Sequence, residues 1–325
     1  MPIIARSAAA AAVAVLAASA VFSRHMARRA EVRHRPVGRR VQVTGGFLHL
    51  ADSGPRHAEM AVVLLHGASG NLSDMTLSLA GPLSARYRTI AVDRPGHGWS
   101  DRPGGAADAS PARQAVLIAE ALRRIGVKRA IFVGHSWSGG LACRFALAHC
   151  DLCQGVVLVA AATHPWPGGV AWYYNSAAHP LVSPLFVYTF VAPLGMAAIN
   201  EAIRALFAPQ VPVTGYAEAI GAGLLLRPSQ FRANAEDMVG LHAFLTEQSP
   251  HYHEIDVPVG IIAGTADTIV PDLHSRTIHD QIANSRLTLV AGVGHMPHHV
   301  ATEQVIAEIE WVAARTRSGQ LAQAC

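Results

Sequence analysis

Six short apolar runs recur along the chain, at residues 61–65, 89–93, 130–133, 155–160, 259–263 and 287–290. Their hydrophobicity is largely continuous rather than alternating. That pattern predicts strands covered on both faces, as in a parallel sheet. Between the runs the period changes. Ala115, Ile118, Ala119, Leu122 and Ile125 keep helical spacing behind Ser110-Pro111, a cap followed by a first-turn proline. Helices are also predicted over about 139–148 and about 301–315. Residues 41–43 and 47–50 flank Thr44-Gly45-Gly46 and predict a β-hairpin. Strands alternating with helices give the α/β class, a mostly parallel sheet flanked by helices.

The alternation breaks between residues 163 and 253, where between His164 and Leu226 only Glu201, Arg204 and Glu218 are charged. This segment reads as an inserted helical cap. It leaves an α/β core of residues 41–162 and 254–317. Within the cap, Trp166, Trp172, Tyr173, Tyr174, Phe186, Tyr188 and Phe190 are expected to help line an apolar pocket or its entrance. For any single one of them, packing the cap onto the core is the safer reading, and a membrane-lying cap is a third, given the N-terminal segment.

Residues 1–40 have a different character. Residues 7–22 carry no charge, Arg6 precedes them, and Arg24, Arg28, Arg29, Arg33, Arg35, Arg39 and Arg40 follow. The segment reads as an apolar anchor or signal sequence plus a basic linker. A signal peptide would be cut after Ala18-Ser19-Ala20. An anchor would need Pro2 to Ala5 to reach across a bilayer. Positive charge resists translocation. The expectation is therefore a membrane partner for the N-terminal segment and a cytoplasmic domain after it, with export after cleavage as the alternative.

Half of the 325 residues are apolar (51%), enough for a sizeable core. The net charge of +4 comes from the N-terminal arginines. No basic patch interleaved with aromatics is present, so nucleic acid is not an expected partner. Cys150-Asp151-Leu152-Cys153 is a lone C-x-x-C; Cys143 and Cys325 complete the cysteines. Without a second pair it does not indicate zinc, and it follows a helix rather than opening one, which argues against a redox motif. Buried or half-buried thiols are expected. His251 and His253 lack a carboxylate cluster and read as solvated loop residues. No metal or cofactor is called for.

The candidate chemistry centres on Gly134-His135-Ser136-Trp137-Ser138-Gly139, at the junction of a buried strand and an apolar helix. A Ser between small residues on such a turn is a nucleophile elbow, its Oγ exposed on strained backbone. The usual pattern is G-x-S-x-G; here the fifth position is Ser138 and Gly139 follows. Asp267 falls just past the run at 259–263, and His295 on the loop after the run at 287–290. His298 and His299 are rival bases. The His66-Gly67 turn after the run at 61–65 would supply one oxyanion donor, the N–H of Ala68, and the elbow the other, the N–H of Trp137. His66 itself reads as structural. The loop from Arg94 to Pro103 reads as a structural loop near the mouth of the site.

From about Val41 to Arg315 the chain resembles the α/β-hydrolase fold superfamily. The blocks that carry the likeness are His66-Gly67, Asp93-Arg94-Pro95-Gly96-His97-Gly98, Gly134-His135-Ser136, Gly264-Thr265-Ala266-Asp267 and Gly294-His295, in that order. The resemblance implies an α/β-hydrolase fold with a helical cap, and a serine hydrolase with Ser136, Asp267 and His295 as its triad. The implied substrate is a small apolar ester. Epoxide hydrolases and haloalkane dehalogenases place Asp where this chain has Ser136. The meta-cleavage C–C hydrolases keep the Ser but carry Trp where this chain has Met296, so C–C hydrolysis is the alternative activity. Cofactor-free haloperoxidases share the triad. A membrane-tethered binding protein that keeps the fold without turnover is the alternative of another class.

Overall fold

The computed structural model describes residues 2–58 and 60–317. Eight strands form one sheet: β1 (Arg39–Val43), β2 (Gly46–Ser53), β3 (Ala61–Leu65), β4 (Arg88–Val92), β5 (Ala130–His135), β6 (Cys153–Val159), β7 (Val259–Gly264) and β8 (Ser285–Val290). Their order is β1-β2-β4-β3-β5-β6-β7-β8. The β1–β2 hairpin and the β2–β4 pairing are antiparallel; the rest is parallel. Every run read from the pattern is a strand.

The longer helices are α1 (Pro2–Arg33), α2 (Pro111–Arg124), α3 (Ser138–Ala148), α4 (Trp172–Ala178), α5 (Ser183–Thr189), α6 (Val191–Phe207), α7 (Pro228–Gln248), α8 (Leu273–Gln281) and α9 (Thr302–Arg317). Side chains alternate across the central strands. Phe132 and Leu158 point to one face, where Ile118, Leu122 and Leu141 pack; the Phe132 ring stacks on Phe145 at 3.8 Å. Ile131, Val133 and Val157 point to the other face, against Val305, Ile309 and Val312 of α9. Burying each such side chain contributes about 1.5–3 kcal/mol. Parallel strands put their C-terminal ends along one edge, so β3, β5, β7 and β8 all deliver loops to the same place.

Helices α4 to α7 all lie between β6 and β7, and no strand occurs there. At the N-terminus the basic stretch departs from the linker expected of it. It is helical through Arg33, continuous with the apolar run. Its inner face packs on α5 and α6, burying Ser23 and Ala30. Arg33 pairs with Glu218 at 2.6 Å and Glu31 with Arg227 at 3.3 Å. The helix register is thus fixed by contacts well beyond the uncharged run. Cys143 and Cys153 are buried free thiols, whereas Cys150 is disulfide-bonded rather than free. Cys325 lies outside the described residues.

Candidate active site

Strand β5 ends at His135, and the chain turns sharply at Ser136, whose φ is +52°. A non-glycine residue held there costs on the order of 1–3 kcal/mol. Neighbouring strands hold it: the Ser136 N–H donates to Val159 O at 3.0 Å, and its carbonyl accepts from Gly139 and Ala162. A Cβ on Gly134 would lie 2.4 Å from Ser138 O, and one on Gly139 would lie 2.6 Å from Ala161 Cβ. Gly139 therefore supplies the close packing against the end of β6. Ser138 has a different use: its buried hydroxyl donates to His66 O at 2.6 Å, tying the elbow to the loop after β3.

Asp267 follows β7 and His295 follows β8. The His295 Nδ1–H donates to Asp267 Oδ2 at 2.7 Å, and the Ser136 hydroxyl lies 2.9 Å from His295 Nε2. Asp267 Oδ1 accepts from the N–H groups of Ile269 and Val270 at 2.8 and 2.9 Å, which fixes the carboxylate's orientation. The three residues thus form one hydrogen-bonded line, buried except toward Ser136. The rival histidines do not reach it. His299 and His298 lie 2.9 and 3.3 Å from Asp74, which also accepts from the Tyr216 hydroxyl at 2.7 Å.

The loop after β3 lies against the elbow. A Cβ on Gly67 would come within 3.0 Å of Ser136 Cβ, so only glycine fits. Among the described residues, neither the Ala68 N–H nor the Trp137 N–H has a protein acceptor. No local signal in the sequence marks what holds this loop. Arg94 is wholly buried; its guanidinium donates to His66 O at 3.1 Å, Gly67 O at 3.2 Å and Asp237 at 2.5 Å. It also lies 4.0 Å over the Trp137 ring. Burial works against both charges, lowering the Arg94 pKa and raising that of Asp237, so each depends on the other. Arg102 adds a second contact to Asp237 at 2.9 Å. From α7, Asn234 accepts from the Ser69 N–H at 2.6 Å. The Arg94 loop, expected as a structural loop near the mouth of the site, buries Arg94 as an anchor for the turn at His66-Gly67.

Behind the elbow, the His135 Nε2–H donates to His295 O at 3.0 Å, so the residue before Ser136 steadies the backbone of His295. Burial pushes His135 well below the usual histidine range. Asp74, His135 and His298 each bring a potential metal ligand within 4.8 Å of the others. The Asp74 oxygens there already accept from Tyr216, His298 and His299. Burial would raise the Asp74 carboxyl, but these two histidines outweigh it and hold it well below the carboxylate range.

Burial, reinforced by Arg94, lowers His66 to about 4. His66 therefore stays neutral in the fold where an unfolded chain would already be protonated, below about pH 6.5. The unfolded state binds more protons in that window. Stability is full above about pH 6.5 and falls as pH drops toward about 4, by about 3 kcal/mol from His66 alone. Urea midpoints measured across this range should decline toward acid, and less steeply for His66→Gln. A pH-independent midpoint would contradict the assignment.

Some aromatics of the insertion pack inward and others face outward. Trp172, Tyr173, Tyr188 and Phe190 are exposed on its outer surface. Tyr174 and Phe186 pack within the insertion, and Trp166 sits against the core beside His242. His251 and His253 are exposed, and His251 contacts Glu254.

Residues 61–302 match the family model of the alpha/beta hydrolase fold. The chain belongs to that family. It is a hydrolase. It is 31% identical over 262 residues to a non-heme chloroperoxidase of Streptomyces lividans, covering 77% of this chain and 90% of the relative. An uncharacterised protein of Mycobacterium tuberculosis is 29% identical over 296 residues, covering 85% of this chain and 80% of that one. Among solved structures, an esterase from Rhodococcus superposes with a TM-score of 0.64 at 25% identity, covering 84% of this chain and 97% of that one. The α/β-hydrolase blocks read from the sequence lie within the matched region.

Proposed function

We propose that this α/β-hydrolase is a serine hydrolase of carboxylic esters that carry an apolar group. The observation that supports this most is the line from Ser136 through His295 to Asp267. A serine hydroxyl at its ordinary pKa is a poor nucleophile, so a base must take its proton during attack. His295 Nε2 is at hydrogen-bond distance to do so. Asp267 holds the tautomer with Nδ1 protonated and stabilises the imidazolium. Ser136 Oγ adds to the ester carbonyl, and the Ala68 and Trp137 N–H groups receive the oxyanion. The intermediate collapses as His295 returns the proton to the leaving alcohol. Water then attacks the acyl-enzyme, losing its proton to His295, and His295 returns that proton to Ser136 Oγ as the acid is released. No cofactor enters these steps.

The apolar insertion favours longer acyl groups over acetate. Each extra methylene buried is worth about 0.8 kcal/mol, or about fourfold in kcat/KM. p-Nitrophenyl esters from acetate to octanoate test this: kcat/KM should climb, and a flat or falling series would sink it. A vinylogous diketone assayed in parallel should be turned over far more slowly; a faster rate would favour C–C hydrolysis.

We also propose that α1 holds the protein to a membrane. Ala10–Arg33 is long and apolar enough to cross one, a test that signal sequences pass too. The arginines that follow the apolar run favour the cytoplasmic side for the hydrolase. The Cys150 disulfide favours an oxidising compartment instead. Protein from the native host should sediment with carbonate-washed membranes and keep its N-terminus, and protease added to intact cells should leave the hydrolase uncut. A soluble form starting at Val21, or cleavage from outside, would overturn this topology.

A further inference from the structure

We propose that α5 and α6 enter the lipid bilayer beside α1, so that the hydrolase grips the membrane through a composite face and draws its apolar ester from the lipid phase. The first half rests on the membrane reading of α1 above and the second on the esterase reading. The two helices are bent by 60° at their junction, yet together they meet the length and hydropathy test that α1 meets alone. No Asp, Glu, Lys or Arg occurs from residue 165 to residue 200. Their outer surface is apolar in helical register. Exposed Leu181 lies in the turn before α5, Leu185 and Tyr188 follow i, i+3 spacing on it, and Phe190 and Leu194 continue one turn apart; Leu185 is 54% exposed and Leu194 59%. The Trp172 ring lies 6.0 Å from Phe186, and Phe186 5.8 Å from Phe190, so the patch is continuous. Soluble domains rarely expose so broad an apolar face without a partner.

With α1 read as a membrane helix, its packing makes lipid the partner of this face. Ser19 donates from its hydroxyl to the carbonyl of Thr189, at the C-terminal end of α5. Ser19 lies inside the uncharged run of α1, five residues before Arg24. At 1.5 Å per residue this is about 7.5 Å along the helix from the first charge. Whatever depth α1 reaches there, the junction of α5 and α6 reaches with it. The Arg24 guanidinium lies 5.8 Å over the Tyr188 ring, a cation and an amphipathic aromatic together where headgroups would sit. Beside them an open cleft of about 760 Å³ is lined by Met26, Met196, Ile199 and Leu226, with Arg28, Arg29 and the Arg33–Glu218 pair also in its wall. Arginines next to an apolar cleft suit an anionic lipid. Past the other end of α6, Gln210 donates to Gly292 O at 2.8 Å and accepts from the Gly294 N–H at 2.9 Å. Gly294 precedes His295, so the segment that follows α6 bonds to the loop that carries the candidate base.

The test uses the full chain in vesicles of phosphatidylcholine and phosphatidylglycerol with brominated acyl chains. Tryptophan is placed on the patch by Leu194→Trp, and on exposed Val116 of α2 as a control by Val116→Trp. The proposal expects lipid to quench the added emission at 194 and not at 116. Equal quenching at both positions would overturn it, as would crosslinking that shows a second copy of the chain covering Leu194. A second arm uses Leu185→Glu combined with Leu194→Glu. The rate on a long-chain ester dissolved in the vesicles should fall about tenfold or more, while the rate on p-nitrophenyl acetate in water is unchanged. Equal effects on the two substrates would overturn delivery from the lipid. A wild-type protein that hydrolyses neither ester would refute the esterase reading and leave the quenching result to stand alone.

Discussion

Replacing Ser136 with alanine should abolish ester hydrolysis, with kcat falling on the order of 10⁶. The size follows from what the hydroxyl is placed to do. Its oxygen lies 2.9 Å from His295 Nε2, and that contact is its one side-chain hydrogen bond among the described residues. Deleting it removes the atom that would carry the acyl group and leaves the N–H donors and the substrate surface in place. Stability should hardly change, because alanine occupies the strained φ of +52° much as serine does. His295→Ala should cost a similar amount, and the double variant little more, since residues that act as a unit are not additive. Steady-state rates on a p-nitrophenyl ester, with thermal melts of each variant, check this. A Ser136→Ala enzyme that kept most of its activity would exclude the mechanism.

The second large effect is expected at Arg94, which touches no substrate in this mechanism. Arg94→Met should destabilise the protein by about 3–5 kcal/mol, because it takes from the buried Asp237 carboxylate its one fully buried cation and leaves only Arg102 beside it. It should also lower kcat by up to about 10²–10³, the loss seen when an oxyanion donor is displaced. The route is the pair of bonds from Arg94 to His66 O and Gly67 O, which hold the turn before Ala68. The two effects can be separated. Arg94→Met with Asp237→Leu removes the stranded charge, so urea stability should recover substantially while kcat stays low. Recovery of both together would mean that Arg94 serves stability alone. KM should change less than kcat, as befits a positioning residue.

Most of the sheet is legible in the sequence because each strand is a short apolar run that no helix could use alone, and Thr44-Gly45-Gly46 marks the hairpin. The elbow can be read from Gly134 and Ser136, where backbone crowding dictates the residue types. The departure at Ser138 has no explanation in sequence, because its partner, His66 O, lies 72 residues away. Arg94 misleads for a related reason. A charged residue between a strand and a glycine-rich turn looks like surface, and only the fold brings Asp237 from α7 to neutralise it. The tertiary role of His135 is equally hidden: nothing local says that its ring reaches the His295 carbonyl. At the N-terminus the arginines suggest a linker, since charge usually ends an apolar helix. Pairing of Arg33 with Glu218, and burial of Ala30, carry the helix on. Composition leaves the insertion aromatics between a pocket, core packing and a membrane face, because it reports only that they are apolar and not which way they face.

The most direct test of the proposed chemistry is covalent. Full-length protein treated with a fluorophosphonate and digested should show one phosphonylated peptide by mass spectrometry, with the adduct on Ser136. Prior conversion of His295 to alanine should suppress that adduct, because the hydroxyl then loses its base. An unlabelled Ser136, or labelling that is indifferent to His295, would contradict the assignment of Ser136 as an activated nucleophile.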